Sequence, residues 1–331
     1  VESLSDGSGS GSGGTVFVSC RTVSGAGSFT ANGGGPESEI WDQGAGGRIA
    51  IHYDPALQPA TGPVRFSAAP GADVYSVSMG VMGVKADMGT IWLPDDKLLG
   101  DGTLIGPGAV SAGELHLGDW TGWRPAHLVV DGARTRYAIG SYRVDIPGDV
   151  VISNRAQFAF GGGAYAMTNA MTRLPYTEGA GPVVHVGGSF TLVDQGSNVV
   201  KTRNLATGFH LLAGGNVGEA YVGASLTVDG AMNVGSNCWV YPVSHPYEGD
   251  SPRFRVRSLR VEAFGGFDAY SRGYTGGGPK TGGAGSGPGG GRTGGAGASH
   301  GGYGGANSLA NLSPLYGDQQ RPRQPGSGAG A

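Results

Sequence analysis

The chain has 331 residues, including 68 Gly and 19 Pro, and only 14% of its residues are charged. Ordinary globular proteins contain about 7% Gly, so an unusually large part of this backbone has no side chain to pack. With 38% apolar residues and a formal net charge of -3, the composition excludes the highly charged disordered chains and the strongly basic nucleic-acid-binding proteins, and no apolar run reaches the about 20 residues of a membrane-spanning helix.

Residues 1–54 are predicted to form Gly-rich N-terminal strands. They open with a Gly/Ser run, which alone would indicate a linker, and continue with three apolar runs between glycines, at residues 15–20, 27–33 and 47–53. The runs are rich in Val, Ile, Phe and Tyr and lack the i, i+3, i+4 spacing of a helix. Short strands at steady spacing indicate a repeat structure or a sandwich.

Residues 55–262 continue this pattern with less Gly and are predicted to form the body of the fold. Apolar runs with a period of two follow one another at residues 89–93, 113–117, 127–130, 142–146, 149–152, 157–160, 183–186, 188–193, 224–230, 238–241 and 254–262. In the last run the alternation of apolar and charged residues shifts by one position at Ser258. This shift predicts a bulge or a corner.

The number of these strands predicts an all-β fold, a parallel β-helix-like β-solenoid with Gly-rich extended segments. About 17 strand candidates without a helix exceed what a single sandwich usually holds, whereas a solenoid buries a continuous core by stacking. The Asp-Gly and Gly-Gly pairs between strands then mark corners. In the alternative architecture, tandem β-sandwiches, Asp-Gly would form type I′ hairpin turns.

Residues 263–331 form a Gly-rich C-terminal tract. The glycines do not keep a period of three, which excludes collagen. The tract is either a flexible linker or a set of extended segments whose missing side chains let backbones approach closely. Ordered packing is favoured, with Tyr270, Tyr274, Tyr303 and Tyr316 placed between the segments.

Several of these segments resemble a known family. Residues 11–18, 27–35, 46–53 and 236–242, and the Gly-Tyr-Gly-Gly and Pro-Gly-Ser-Gly stretches within 301–330, are similar to the Gly-rich β-solenoid repeats of very large bacterial surface proteins. Those are secreted structural or adhesin-like proteins. The resemblance implies a secreted or cell-surface location and a structural or adhesive role, and it brings no catalytic residues.

An enzymatic function is not expected, although parallel β-helices also carry polysaccharide-degrading enzymes. Such enzymes need a spaced carboxylate pair, and the adjacent Asp95 and Asp96 are typical of a turn, since neighbours on a strand point to opposite faces. A Ca²⁺ site at Glu37, Glu39 and Asp42 is a weaker hypothesis, because these residues lack the alternating Asp/Asn pattern of calcium loops.

Two tryptophans suggest a carbohydrate-binding alternative, in which the protein is a surface adhesin. Trp120 and Trp123, with Arg124 beside them, would form an exposed platform that stacks on the sugar rings of a surface polysaccharide. The competing interpretation is that they cap the fold or belong to its core, as most such Trp residues do.

The two cysteines, Cys20 and Cys238, have no metal-binding or redox spacing. They are either packed thiols or partners in a disulfide bond within or between chains.

The favoured function is that of an extracellular structural protein that forms a fibre, sheath or surface layer. Neither terminal segment resembles the cap that solenoids normally carry, and an uncovered end invites strand pairing. We therefore expect head-to-tail self-assembly, with subunit contacts at Val16, Phe17 and Cys20 on one side and Tyr316 and Pro325 on the other.

Overall fold

The computed structural model describes residues 10–35, 44–60, 64–71, 86–99, 104–105, 109–118, 123–137, 142–161, 181–194, 206–215, 222–270, 272–277, 283–292, 295–306, 309–320 and 322–330. Within these ranges the regular elements are strands, apart from two short 3₁₀-helices at Lys97–Leu99 and Leu309–Asn311. The all-β prediction is confirmed. None of the described helices is long and apolar enough to cross a membrane.

Nineteen strands lie within the described ranges. They are β1 (Thr15–Ser19), β2 (Ser28–Thr30), β3 (Arg48–His52), β4 (Arg65–Ser67), β5 (Thr90–Leu93), β6 (Leu104–Ile105), β7 (Val110–Leu117), β8 (Leu128–Asp131), β9 (Arg134–Tyr137), β10 (Arg143–Ile146), β11 (Val150–Ser153), β12 (Gln157–Phe160), β13 (Val183–Val186), β14 (Phe190–Val193), β15 (Thr207–Leu212), β16 (Val222–Val234), β17 (Cys238–Val243), β18 (Ser251–Val261) and β19 (Gly266–Phe267).

The strands form two parallel sheets. The long sheet has the order β1-β3-β5-β7-β9-β12-β15-β17-β19, and β2 and β4 join it through β7. The short sheet has the order β10-β13-β16-β14-β11-β8-β6, with β18 pairing with β16. Parallel strands cannot be joined by two-residue hairpins, so the described pairs Asp131-Gly132 and Asp229-Gly230 are not type I′ hairpin turns. The pairing also differs from the antiparallel pairing of tandem β-sandwiches.

Residues in the same register on successive strands are buried together, and this builds the core between the sheets. In the short sheet Val150, Phe190 and Met232 are aligned and fully buried. In the long sheet Phe158 and Phe209 are aligned in the same way. The Phe190 and Phe209 rings meet across the two sheets with centroids 4.7 Å apart. Each such aromatic side chain contributes about 1.5–3 kcal/mol when removed from water.

The core also crosses the predicted boundary after residue 54. Strand β3 pairs with β1 on one side and with β5 on the other, and one apolar cluster runs from Ala31 to Val240. The N-terminal strands and the body therefore share a sheet and a core.

Polar side chains stack at the corners between strands. The Asp131 carboxylate, beside Gly132, accepts hydrogen bonds from Ser153 Oγ at 2.7 Å and from the Asn154 amide on the next corner. The Asp229-Gly230 pair lies inside β16, where the register with β18 shifts between Val228 and Ala231. The irregularity predicted near Ser258 is thus present, but the extra residue is in β16.

Glycine-rich segments near the N-terminus pack as a bundle rather than a sheet. We call residues 10–14, 31–35, 44–47, 68–71 and 86–89 the N-terminal glycine bundle. Segment 44–47 forms main-chain hydrogen bonds with each of the other four segments. Gly13 N donates to Ala45 O, Gly44 N to Gly34 O, Gly46 N to Asp87 O and Gly71 N to Gly44 O, at 2.8 to 3.0 Å. A strand in a sheet bonds to two neighbours at most, so these segments pack in more than one direction.

The C-terminal tract repeats this arrangement. We call residues 273–277, 285–292, 296–305 and 326–330 the C-terminal glycine bundle, and segment 326–330 bonds to each of the other three parts. These segments lie against one another in the structure. The four tyrosines that were predicted to lie between these segments occupy different environments. Tyr274 packs against Gly249 and Gly287, and the Tyr316 hydroxyl accepts a hydrogen bond from Ser327. Tyr270 and Tyr303 are exposed, so their predicted place between segments was wrong.

Candidate functional site

Strand β1 is the outermost strand of the long sheet. Gly14 O accepts a hydrogen bond from Arg48 N, and Cys20 N donates one to His52 O. In a parallel ladder the bonding residues alternate, so the even-numbered residues of β1 face β3. The N–H and C=O of Phe17 therefore point to the open edge, and its side chain is 66% exposed.

The neighbouring residues that were predicted as subunit contacts lie partly inside. Val16 and Cys20 are half-buried and pack against the main core. Both cysteines are free thiols. Cys238 is fully buried, and burial raises the pKa of its thiol to about 12. It is a packed thiol, one of the two states that the sequence left open.

The last strands expose apolar residues that would be core residues elsewhere in the sheets. Leu259 and Val261 on β18 are aligned with Met232 and Val234 of β16, which are fully buried. Leu259 is nevertheless 50% exposed and Val261 44%, and Phe264 beyond them is 63% exposed. Among the described strands, β18 pairs with β16 alone. Its inward-facing residues are therefore covered by a described strand on the β16 side only.

Tyr316 and Pro325, the predicted C-terminal contacts, are brought together inside the C-terminal glycine bundle. The Tyr316 hydroxyl donates a hydrogen bond to Pro325 O and accepts one from Ser327 Oγ at 2.8 Å. Burial raises the pKa of the Tyr316 hydroxyl, and the Ser327 hydrogen bond partly opposes this. The pair ties two Gly-rich segments together within one chain.

Of the predicted glycan-stacking residues, Trp123 is a core residue. It is 3% exposed and stacks on Tyr137 with ring centroids 4.3 Å apart, so its face is covered by protein. Arg124 is exposed. Trp120 lies outside the described residues, as do Glu37, Glu39 and Asp42 of the calcium hypothesis.

A buried ionic cluster lies on the outer face of the long sheet, and the sequence analysis missed it. Glu114 Oε1 is 2.8 Å from His116 Nε2, and Glu114 Oε2 accepts a hydrogen bond from Arg136 Nε at 2.7 Å. Arg136 Nη2 also lies 3.3 Å from Asp87 Oδ2. The register places Glu114 directly beside Arg136 on the neighbouring strand. Cross-strand alignment of opposite charges is the signal that would have revealed it.

The Glu114 and Arg136 pair is ionised. Burial alone would raise the pKa of Glu114, but the His116 hydrogen bond and the Arg136 charge outweigh it, so the pKa lies below its ordinary value. Burial alone would lower the pKa of Arg136, and the charges of Glu114 and Asp87 outweigh that effect. A carboxylate held in its charged form is a poor proton donor at neutral pH, so this cluster suits charge stabilisation better than general acid catalysis.

The same outer face continues across three more strands towards the C-terminus. Arg136, Ala159, His210 and Tyr241 are aligned on β9, β12, β15 and β17. The His210 ring stacks on Tyr241 at 4.5 Å and the Arg272 guanidinium lies 4.3 Å above the Tyr241 ring. Burial lowers the pKa of His210 to about 3, and the charges of Arg272 and Arg136 act in the same direction. His210 is therefore neutral at physiological pH.

A second polar group lies on the outer face of the short sheet, which is more open. His185 lies 3.3 Å from Asp145 and 3.0 Å from Asp229, and Arg143 forms an ion pair with Asp145 at 2.8 Å. The Arg143 hydrogen bond is the main cause of a lowered pKa of Asp145. The part of the chain that the structure describes holds no group of three or more His, Cys, Asp or Glu residues that could bind a metal ion.

Asp95 and Asp96 occupy a bend that leads into the 3₁₀-helix Lys97–Leu99. The Asp95 carboxylate accepts hydrogen bonds from the Tyr53 hydroxyl and, at 3.0 Å, from Lys97 N. Burial raises the pKa of Asp96. The Asp95 contacts are those of a turn that is tied to the neighbouring segment.

No protein-family model, no curated protein and no solved structure matches this chain.

Proposed function

We propose that this chain is an extracellular structural protein whose parallel strands stack as a β-solenoid and whose copies join end to end into a fibre, sheath or surface layer. The observation that carries the proposal is the state of the outermost strands. At one end β1 turns the N–H and C=O of Phe17 to an edge that no described strand covers, and Phe17 is exposed. At the other end β18 presents core-type residues that no described strand covers.

Unpaired edges of this kind favour strand pairing between molecules. When one surface of a copy binds a different surface of the next copy, the contact can be repeated indefinitely. Such contacts generate filaments unless the rotation between copies closes them into a ring. Adding the first strands of one copy beyond β19 of another would extend the long sheet, and the added chain would cover Leu259 and Val261 at the end of the short sheet.

The composition supports an extracellular role. Few charges, abundant Gly and two glycine bundles suit a structural polymer better than a soluble enzyme. The resemblance to Gly-rich repeats of bacterial surface proteins points in the same direction.

The substitution Phe17→Pro tests the stacking contact. Proline removes the N–H that faces the open edge and leaves the bonds from β1 to β3 in place, since Pro is tolerated on an edge strand with its nitrogen facing outwards. Light scattering and electron microscopy of the purified protein should show that Phe17→Pro stays monomeric under conditions in which the wild type elongates.

The matched control is Phe17→Thr, which also removes the ring but keeps the edge N–H and should still elongate. A wild-type chain that remains monomeric at high concentration would contradict the proposal. So would a Phe17→Pro variant that elongates as the wild type does.

A further inference from the structure

Strand β18 carries a concentrated row of arginines. Arg253, Arg255, Arg257 and Arg260 all lie on this one strand and are all exposed. We call these four residues the arginine strip. In a chain with a net charge of -3, the strip is a local concentration of positive charge rather than a consequence of a basic composition.

The strip lies beside neutral hydrogen-bonding side chains. Arg253 is aligned with Ser225, Arg255 with Thr227 and Arg260 with Asn233 on β16. Residues two apart on a strand project from the same face about 6.6 Å apart. Arg253 and Arg255 thus present two guanidiniums at regular spacing above a hydroxyl-rich surface.

Most of the strip has no anionic partner among the described residues. Glu262 pairs with Arg260 at 2.7 Å, and Asp229 pairs with His185 at 3.0 Å. The other three arginines of the strip make no ion pair with any described carboxylate. Their charge is available to a ligand.

Charged residues on an edge strand are also a device against unwanted strand pairing, but these side chains stand out from the sheet and leave the inward-facing Leu259 and Val261 of β18 exposed. Edge protection requires charge but not a particular cation, and lysine serves it commonly. All four cations here are arginines, whose planar guanidinium binds a carboxylate or a sulfate through two parallel N–H donors. Arginine supplies 18 of the 22 basic residues of this chain, so it is the row of exposed guanidiniums without a described carboxylate partner that favours an oxyanion.

We propose that the arginine strip binds an acidic polysaccharide, with the unpaired guanidiniums holding successive carboxylate or sulfate groups and Ser225, Thr227 and Asn233 bonding to sugar hydroxyls. Single-stranded nucleic acid fits this surface less well, because base binding uses exposed aromatic rings and the aligned neighbours of the strip are hydroxyl and amide side chains. The proposal does not depend on end-to-end stacking, since stacking uses main-chain groups in the plane of the sheet and the strip uses side chains that stand out from it.

The test measures binding of the purified chain to immobilised polygalacturonate and dextran sulfate, with neutral dextran and a poly-dT oligonucleotide as further probes. Arg253→Gln/Arg255→Gln should weaken binding to the acidic polysaccharides by about tenfold, since each of the two lost ion pairs is worth roughly threefold to fivefold at an exposed site. The matched control Arg65→Gln/Arg134→Gln removes the same charge from exposed positions of the long sheet and should change binding less than twofold. Arg253→Lys/Arg255→Lys keeps the charge without the bidentate geometry and should bind with intermediate strength.

All measurements are repeated in the Phe17→Pro background, so that loss of assembly and loss of binding are separated. Polygalacturonate and dextran sulfate that bind no better than neutral dextran would overturn the proposal. Equal losses in the strip variant and its control would also overturn it, as would a poly-dT affinity that exceeds the polysaccharide affinity and depends on the same arginines. Intact folding of each variant is checked by its far-ultraviolet circular dichroism.

Discussion

The histidine at position 210 shows how a polar side chain is fixed on the outer face of the long sheet. Its Nε2–H donates to Gln157 Oε1 at 3.0 Å, and its ring stacks on Tyr241. Because its pKa falls from 6.5 to about 3 on folding, the unfolded chain binds a proton at pH 5 that the folded chain does not. The stabilising contribution of neutral His210 is complete above pH 6.5 and is lost as the pH falls from 6.5 towards 3.

His210→Phe should therefore flatten the acid side of the stability profile. The variant keeps a ring over Tyr241, and its lost hydrogen bond costs the same at every pH. Between pH 7 and pH 5 the wild type should lose about 1–2 kcal/mol more unfolding free energy than the variant, at most about 1.4 kcal/mol per pH unit. Urea unfolding at each pH measures this, and His127→Phe, at an exposed histidine, is the control. Parallel profiles for wild type and His210→Phe would refute the assignment.

Some contacts of individual side chains could not be predicted from the sequence. The alternation on β7 places Glu114 and His116 on one face, but only the register with β9 puts Arg136 beside Glu114. Trp123 was ambiguous for the same reason, because a Gly-rich surrounding does not reveal that Tyr137 lies against it. Local pattern predicts which face a side chain occupies, and register decides what it meets.

At the scale of elements, the glycine bundles depend on the absence of side chains at particular positions. A methyl group on Gly328 would overlap the carbonyl oxygen of Thr275, whereas a methyl group on Gly301 would meet nothing within 4 Å. The first position leaves no room for Cβ between two backbones, and the second is open.

Gly328→Ala should consequently destabilise the C-terminal bundle by about 1–3 kcal/mol or more, the usual cost of overpacking. Gly301→Ala should change stability by less than about 0.5 kcal/mol. Hydrogen exchange of the amides of residues 273–277 and 285–292, or limited proteolysis within the tract, measures the difference. Equal protection in the two variants would show that the segments do not pack as described.

The strands themselves were largely predictable from the sequence, because Val, Ile and Phe alternate in them. Five strands were missed: β4, β6 and β19 are only two or three residues long, β9 has the sequence Arg-Thr-Arg-Tyr, and β15 carries Gly and His within its apolar run. In β9 both faces are buried, but the outer face carries the polar Arg136, which pairs with Glu114. The strand therefore lacks the apolar alternation by which the other strands were predicted. Short strands are held by neighbours in the sheet, which a local window cannot contain.

At the scale of the whole molecule, the parallel pairing places the strands of each sheet one after another along a single direction. Neighbouring strands in a sheet are spaced about 4.7–4.9 Å apart, so stacked copies should repeat that spacing along the fibre. X-ray diffraction from aligned fibres should show a reflection near 4.8 Å along the fibre axis. A reflection of that spacing perpendicular to the axis would mean that copies associate side by side instead.

The direction of the hydrogen bonds has a mechanical consequence. Bonds between β11, β14 and β16 run along the stacking direction, so tension applied along that direction loads one strand pair after another instead of sharing the load among all pairs. We expect the molecule to yield by peeling, with each pair separating at low force and releasing the chain between it and the next. A surface layer made of such units would stretch in small steps and dissipate energy at each step. Tension along the strands would instead load all the hydrogen bonds of a pair together, so that the pair would hold rigidly and then break at once.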